Sequence, residues 1–147
     1  MAPMPSAVLF ACTMNSVRSP MAEAIMKHLH GRRVFVDSRG VRAGEPDPFV
    51  AVVMDEIGID LTKHHAKSFE EHDDSYFDLV ITLSPEAHHH ALEMTRTMAC
   101  EVEFWPTFDP TAVEGNRDAK LDAYRSVRDA LLQKISLRFP LGPRSEV

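Results

Sequence analysis

The sequence predicts an α/β fold: a single doubly wound domain, a four-stranded parallel sheet with helices on both faces. Three observations predict it. Short apolar runs alternate with longer amphipathic segments along the chain. The apolar runs are nearly continuous, as in strands covered on both faces. The 147 residues amount to one domain, long enough to bury a core without disulfide staples.

Each element follows from its pattern. Ala7-Val-Leu-Phe-Ala11, bounded by Pro5, reads as the first buried strand. Ala22, Ile25, Met26 and Leu29 fall at i, i+3, i+4 and i+7, one face of a helix that stops at Gly31. Val34-Phe-Val36 reads as a second strand, and Phe49, Val52, Val53 and Ile57 as a helix ending at Gly58. Asp78-Leu-Val-Ile-Thr-Leu83 is a third strand. Pro85 then opens a helix that runs to about residue 97. Val102-Glu-Phe-Trp105 is the fourth strand, and Leu121, Tyr124, Val127, Leu131 and Ile135 mark a long last helix. Met21, Met26, Met54 and Met94 fall at helical spacings and read as core. No repeat or linker divides the chain. The domain is expected over residues 6–139, with residues 1–5 and 140–147 as loose ends.

Composition removes several function classes. Lys and Arg number 16 against 22 Asp and Glu, a net charge of −6, so no nucleic-acid partner is expected. A small anion remains compatible, because one Arg and a ring of amides suffice to hold it. The longest apolar run, Ala7 to Cys12, is far too short to span a membrane, and no membrane partner is expected. No basic region precedes an apolar stretch at the N-terminus, so the chain reads as cytoplasmic. Two cysteines, Cys12 and Cys100, make no disulfide framework, and in a reducing compartment a lone thiol can be reactive.

In parallel sheets ligands bind beyond the carboxyl ends of the strands, which directs attention to the first loop. It reads Cys12-Thr13-Met14-Asn15-Ser16-Val17-Arg18-Ser19-Pro20, leaving a buried strand and entering a helix. Five residues between Cys12 and Arg18 are enough to wrap backbone N–H groups around one tetrahedral oxyanion. The helix N-terminus adds positive potential, which also favours the thiolate of Cys12. Arg18 offers a planar fork for two oxygens at once. Asn15 suits a positive φ in mid-loop. Ser19 is placed to cap the helix and Pro20 to occupy its first turn. A Cys, five residues and an Arg form a weak pattern alone; the strand before and the Ser-Pro helix after make it specific.

Val8 to Ala24, with Cys12, Asn15, Arg18, Ser19 and Pro20 in register, resembles the low-molecular-weight protein tyrosine phosphatases and the thioredoxin-coupled arsenate reductases that share their fold. The resemblance continues through Ser38-Arg-Gly40, Gly44-Glu-Pro-Asp-Pro48, Gly58 to His64, Phe77 to Ile81 and Asp109-Pro110, and covers roughly residues 6–137. It implies Cys12 as nucleophile, Arg18 and the amides of Thr13 to Arg18 as the phosphate cradle, and Asp109 as general acid and then base. Taken alone, Asp109-Pro110 reads as a turn starter. The resemblance also implies that Ser19 hydrogen-bonds the thiolate, and that Ser38 and His64 tie down Asn15. No metal or cofactor is implied, because Arg18, the amides and the helix offset the phosphoryl charge. The expected substrate is a phosphorylated protein or a small aryl phosphate, and the expected state a monomer or weak dimer.

Three departures bear on substrate choice. Met14 stands where the family usually has Gly, which places a side chain at the pocket wall. Val17 replaces the second Cys found beside the Arg in many members, which leaves Cys12 more open to over-oxidation. Thr111-Ala112-Val113 replaces the tyrosines that follow the Asp-Pro, leaving Trp105, Phe108 or Met14 to supply an apolar wall. Thr13, Trp105 and Thr111-Ala112 look closer to the reductase branch. That branch runs a thiol relay just after the third strand, where this chain reads Thr82-Leu-Ser84-Pro85. Cys100 reads as a core thiol. Two alternatives therefore stand beside the phosphatase: an arsenate reductase using an external thiol such as glutathione, and a non-catalytic module that binds phosphoprotein. His88-His89-His90 point to different helix faces and read as an exposed polar helix rather than a metal site. Glu70 to Asp74 reads as a solvated acidic segment.

Overall fold

The computed structural model describes residues 4–70 and 76–141. Four strands, β1 (Ala7–Cys12), β2 (Phe35–Gly40), β3 (Leu79–Thr82) and β4 (Glu101–Phe104), form one sheet in the order β2-β1-β3-β4. All three pairings are parallel. Helices α1 (Arg18–His30), α2 (Pro48–Asp55), α3 (Pro85–Met94) and α4 (Arg117–Arg138) connect and cover them.

The six residues of β1 are all buried, because its alternating side chains enter two cores. Val8, Phe10 and Cys12 face α1, α2 and α4, among Met21, Ile25, Val53, Met54, Leu131 and Ile135. Ala7 and Leu9 face the other way, into a cluster with Val80 of β3 and Ala91 of α3. The strand order reverses between β1 and β3. Such a reversal opens a crevice at the carboxyl edge of the sheet. Register brings Cys12 level with Gly40, and Ala11 level with Thr82 and Phe104, so the segments after all four strands leave that edge together.

Several expected boundaries move. β2 runs on through Asp37, Ser38 and Arg39, past the Val36 at which the apolar run stops. These polar residues are buried because Lys67 Nζ bonds both Asp37 oxygens at 2.8 and 2.9 Å and Arg39 reaches Asp37 at 3.3 Å. Helix α2 ends at Asp55, leaving Ile57 and Gly58 in a turn. Helix α3 ends at Met94 rather than near residue 97. Its buried residues are Ala87 and Ala91, followed by Thr95 just past its end. Met94, in the last turn, is 37% exposed and not core, unlike Met21, Met26 and Met54. β4 ends before Trp105, although the Trp105 N–H still bonds Thr82 O at 2.8 Å.

Ser19 does not cap α1. The helix begins two residues earlier than that cap requires, at Arg18, with Val17 in the cap position and no side-chain cap bond. Side chains cap the other three helices: Asp47, Ser84 and Asn116 accept from Phe49, Ala87 and Ala119 N–H. His88 and His90 are half-buried, not exposed. His88 stacks on Phe104 at 4.7 Å and shares a 2.9 Å hydrogen bond with Thr82 Oγ1, while His90 stacks on Phe69 at 4.6 Å. Among the described residues no three His, Cys, Asp or Glu side chains gather as a metal site. Cys100 is half-buried against the α3-side core, and burial pushes its thiol up. Residues 71–74 of the acidic segment lie outside the described residues; Glu70 is exposed. No described helix is long and apolar enough to cross a membrane.

Candidate active site

The loop from Cys12 to Arg18 is shaped by bonds to its carbonyl oxygens. Val41, Arg42 and Gly44 N–H donate to the carbonyls of Cys12, Thr13 and Met14 at 3.1, 2.9 and 2.8 Å. His64 Nε2 lies 3.0 Å from the carbonyl of Asn15. Four successive carbonyls are thus turned outward. The N–H groups of Thr13 to Val17 bond no other described residue, and their loop runs from the thiol to the start of α1. That is the arrangement of an anion-binding nest at a helix N-terminus.

Two glycines permit the close approach. A Cβ on Gly40 would lie 2.7 Å from Asn15 N and 2.9 Å from Met14 C, and one on Gly44 would lie 2.7 Å from Ser16 Oγ and 3.0 Å from Met14 Cβ. Asn15 takes φ 53°, a region that Asn tolerates and most residues avoid. Its buried side chain is fully used: Nδ2 donates to Ser19 Oγ at 2.9 Å and to Ser38 Oγ at 2.8 Å, and Oδ1 accepts from Lys67 N–H at 2.9 Å. Ser38 passes its own proton to Glu23 Oε1 at 2.5 Å.

These bonds also orient Ser19. Its oxygen accepts from Asn15, so its one proton is free for an acceptor. Cys12 Sγ lies 3.0 Å away, and Arg39 O, the competing acceptor, lies 3.5 Å away. A hydroxyl aimed at sulfur favours the thiolate. Thr13 Oγ1 donates to Ser84 Oγ at 3.0 Å, Ser16 Oγ to Met14 O at 3.3 Å, and the Val17 side chain turns into the core.

Arg18 links this loop to the one after β4. Its Nη1 donates to Thr107 O at 3.2 Å, and its Nη2 lies 3.9 Å from Asp109 Oδ2. The Arg18 side chain is 11% exposed, that of Asp109 45%. Asp109 Oδ1 accepts from Thr111 N–H at 3.0 Å and Thr111 Oγ1 at 2.7 Å, at the start of a short 3₁₀ turn (Pro110–Ala112).

A cleft of about 480 Å³ lies between the two loops, with Cys12, Arg18 and Asp109 in its wall. Its apolar wall is Met14, Phe49, Val113 and Tyr124. Of the three expected wall residues only Met14 lines it. Trp105 is buried against Phe10, and Phe108, 60% exposed, faces another groove. Tyr124 OH donates to Asp47 Oδ2 at 2.6 Å, and burial together with Asp47 pushes the phenol up. The structure therefore gathers Cys12, the Thr13 to Arg18 loop, Ser19, Ser38, His64 and Asp109 at one sheet edge. Sequence reasoning missed Gly40, Gly44, Glu23, Thr111 and the α2–α4 wall. The close Gly40 and Gly44 fell inside the segments that carry the resemblance, while Phe49 and Tyr124 gave only a core signal.

A family model described as low molecular weight phosphotyrosine protein phosphatase matches residues 7–136. An arsenate reductase of Halalkalibacterium halodurans is 32% identical over 130 residues, which cover 87% of this chain and 91% of that one. A glutaredoxin arsenate reductase of Synechocystis sp. is 27% identical over 134 residues, 87% of this chain and 92% of that one. The crystal structure of a low molecular weight protein tyrosine phosphatase from T. tengcongensis is similar with a TM-score of 0.75 and 28% identity, over 92% of this chain and 99% of that one. The chain belongs to the low molecular weight phosphotyrosine protein phosphatase family, whose relatives include enzymes named as phosphatases and as arsenate reductases.

Proposed function

We propose that the chain is a cysteine-dependent phosphatase that hydrolyses phosphate monoesters, phosphotyrosine or other aryl phosphates, through a phosphocysteine intermediate. The observation that carries this reading is a loop whose Thr13 to Val17 amides have no protein partner, starting at a buried thiol, with Arg18 and a carboxyl group in the same cleft.

The phosphoryl oxygens sit in the amide cradle and on the fork of Arg18. The Cys12 thiolate attacks phosphorus, and the ester P–O bond breaks. The leaving oxygen takes a proton from Asp109, worth about 10²–10⁴ in rate. Asp109 then accepts a proton from the water that hydrolyses phosphocysteine, and Ser19 steadies the departing thiolate. Ser38 and His64 act through Asn15, holding its strained backbone in place. Arg18, the amides and the α1 N-terminus offset the charge of the phosphoryl group.

Hydrolysis of p-nitrophenyl phosphate in EDTA tests the reading. Turnover by the reduced chain, lost in Cys12→Ser and reduced in Asp109→Ala, supports it. No turnover by the unmodified chain sinks it, and phosphate binding without turnover points to a phosphoprotein-binding module.

A second reading is arsenate reduction with an external thiol, favoured by the relatives named arsenate reductase. The Cys12 thiolate would attack arsenate, and an As–O bond would break with the oxygen leaving as water, giving a thiolate–arsenic(V) adduct. An external thiol would then attack Cys12 sulfur, releasing arsenic(III) and leaving a mixed disulfide. Cys100 is no relay for this. It lies five register rows from Cys12, at the opposite sheet edge, about 16 Å along the strands at ~3.3 Å per residue, beyond disulfide reach. Glutathione-dependent arsenite production is the discriminating assay.

A further inference from the structure

We propose that Thr111 is a positioning residue for Asp109, one that fixes the acid's proton on Oδ2, the oxygen on the Arg18 side. The inference rests on the phosphatase reading and goes beyond it by assigning the two carboxyl oxygens different tasks.

The geometry separates those oxygens. Oδ1 already accepts two hydrogen bonds, from Thr111 N–H at 3.0 Å and from Thr111 Oγ1 at 2.7 Å. A proton placed on Oδ1 would face both donors, so Oδ1 is held as the acceptor oxygen and the acid's proton falls to Oδ2. Oδ2 lies 3.9 Å from Arg18 Nη2, beside the group that holds the phosphoryl oxygens. As Cys12 Sγ bonds to phosphorus and the P–O bond breaks, the electron pair stays on the leaving oxygen, which takes the Oδ2 proton. Asp109 is left as the carboxylate. Its charge is then stabilised by the same two Thr111 bonds, which are strongest when the carboxyl is ionised.

The device is local. Asp60 carries the same arrangement far from the cleft: its Oδ1 accepts from Thr62 N–H at 2.9 Å and Thr62 Oγ1 at 2.6 Å. An Asp-x-Thr sequence in a turn therefore suffices to engage one carboxyl oxygen, with no help from the rest of the fold. Thr111 is exposed and Asp109 half-exposed, so removing the Thr111 hydroxyl leaves the fold intact.

The test compares kcat/KM for p-nitrophenyl phosphate and phenyl phosphate in the intact chain and in Thr111→Ala, Thr111→Ser and Asp109→Asn. The more basic phenolate of phenyl phosphate depends more on a positioned acid. Thr111→Ala is expected to lower kcat/KM for phenyl phosphate about tenfold and for p-nitrophenyl phosphate less than about twofold. Thr111→Ser is expected to restore both. In an Asp109→Asn background Thr111→Ala is expected to add nothing. Equal losses on the two substrates, no loss on either, or failure of Thr111→Ser to restore would overturn the proposal. An unmodified chain that turns over neither ester overturns the phosphatase reading and this inference with it.

Discussion

The loop that carries Cys12 buries its thiol and Asn15 and is held mainly from outside itself, whereas Asp109 is half-exposed and held by a residue of its own loop. Residues of β2, the segments after it and α1 supply most of the bonds that shape the first, from Val41, Arg42, Gly44, His64, Lys67, Ser38 and Ser19, and Ser84 adds one to Thr13. Asp109 is set by a residue two positions on, with one contact from Arg18. The difference follows from what each loop must do. A phosphate cradle needs several backbone dipoles aimed at one point, which demands an over-determined backbone. An acid needs one oxygen in reach and access to water for the second half of the reaction. Stability and activity should therefore separate in one loop and move together in the other.

The largest expected effect is in the acid loop. Asp109→Asn should lower turnover of phenyl phosphate by about 10²–10⁴, with the urea midpoint unchanged. A shifted midpoint would show that Asp109 also supports the fold, and would break the contrast. Next comes Gly40→Ala. Its Cβ would meet backbone at 2.5 Å from Arg42 O and 2.7 Å from Asn15 N. Displacing the cradle should cost about 10² in kcat/KM and about 1–3 kcal/mol of stability, read together by kinetics and urea unfolding.

Asn15 sharpens the comparison. Asn15→Ala strips partners from Lys67 N–H and Ser38 and keeps the φ 53° strain, for a loss of about 2–3 kcal/mol. Asn15→Gly loses the same bonds but relieves the backbone, and should be more stable than Asn15→Ala by about 1 kcal/mol. Equal midpoints would mean that φ carries no strain.

The smallest effect is a pH dependence behind the cleft wall, where Glu56 ties α2 to α4. Hydrogen bonds from Arg125 and then Arg128 lower its carboxyl from 4.5 to about 2. A folded value below the unfolded one stabilises the fold above the unfolded value, and the gain is lost as pH falls through the folded value. Thermal midpoints should therefore drop between about pH 4.5 and 2, and Glu56→Gln should flatten that slope while leaving turnover at neutral pH unchanged. An unaltered slope would mean that other carboxylates dominate the acid limb.

Much of this was legible in the sequence, for identifiable reasons. The apolar run of Ala7 to Cys12 and the i, i+3, i+4, i+7 faces are local patterns that survive into the fold. The Asn15 backbone and the placing of Cys12 and Arg18 at a strand-to-helix turn are also local. Polarity misled wherever tertiary contacts neutralised it. Asp37, Ser38 and Arg39 looked like the end of β2, yet Lys67 and Asn15 bury them inside it. Ser19 looked like a helix cap, yet its proton is directed to Cys12 by a bond from Asn15. Phe108 looked like cleft wall, yet Phe49 and Tyr124 line the cleft from α2 and α4.

The sequence by itself determined the alternation of strands and helices, the Cys12 to Arg18 loop and the Asp-x-Thr turn at Asp109, because each depends on residues within a few positions. Only the tertiary structure decided which way the loop's carbonyls point, where Arg18 is held and which side chains line the cleft. Those depend on partners 49 and 89 residues away, such as His64 at the Asn15 carbonyl and Thr107 opposite Arg18, which packing alone brings together.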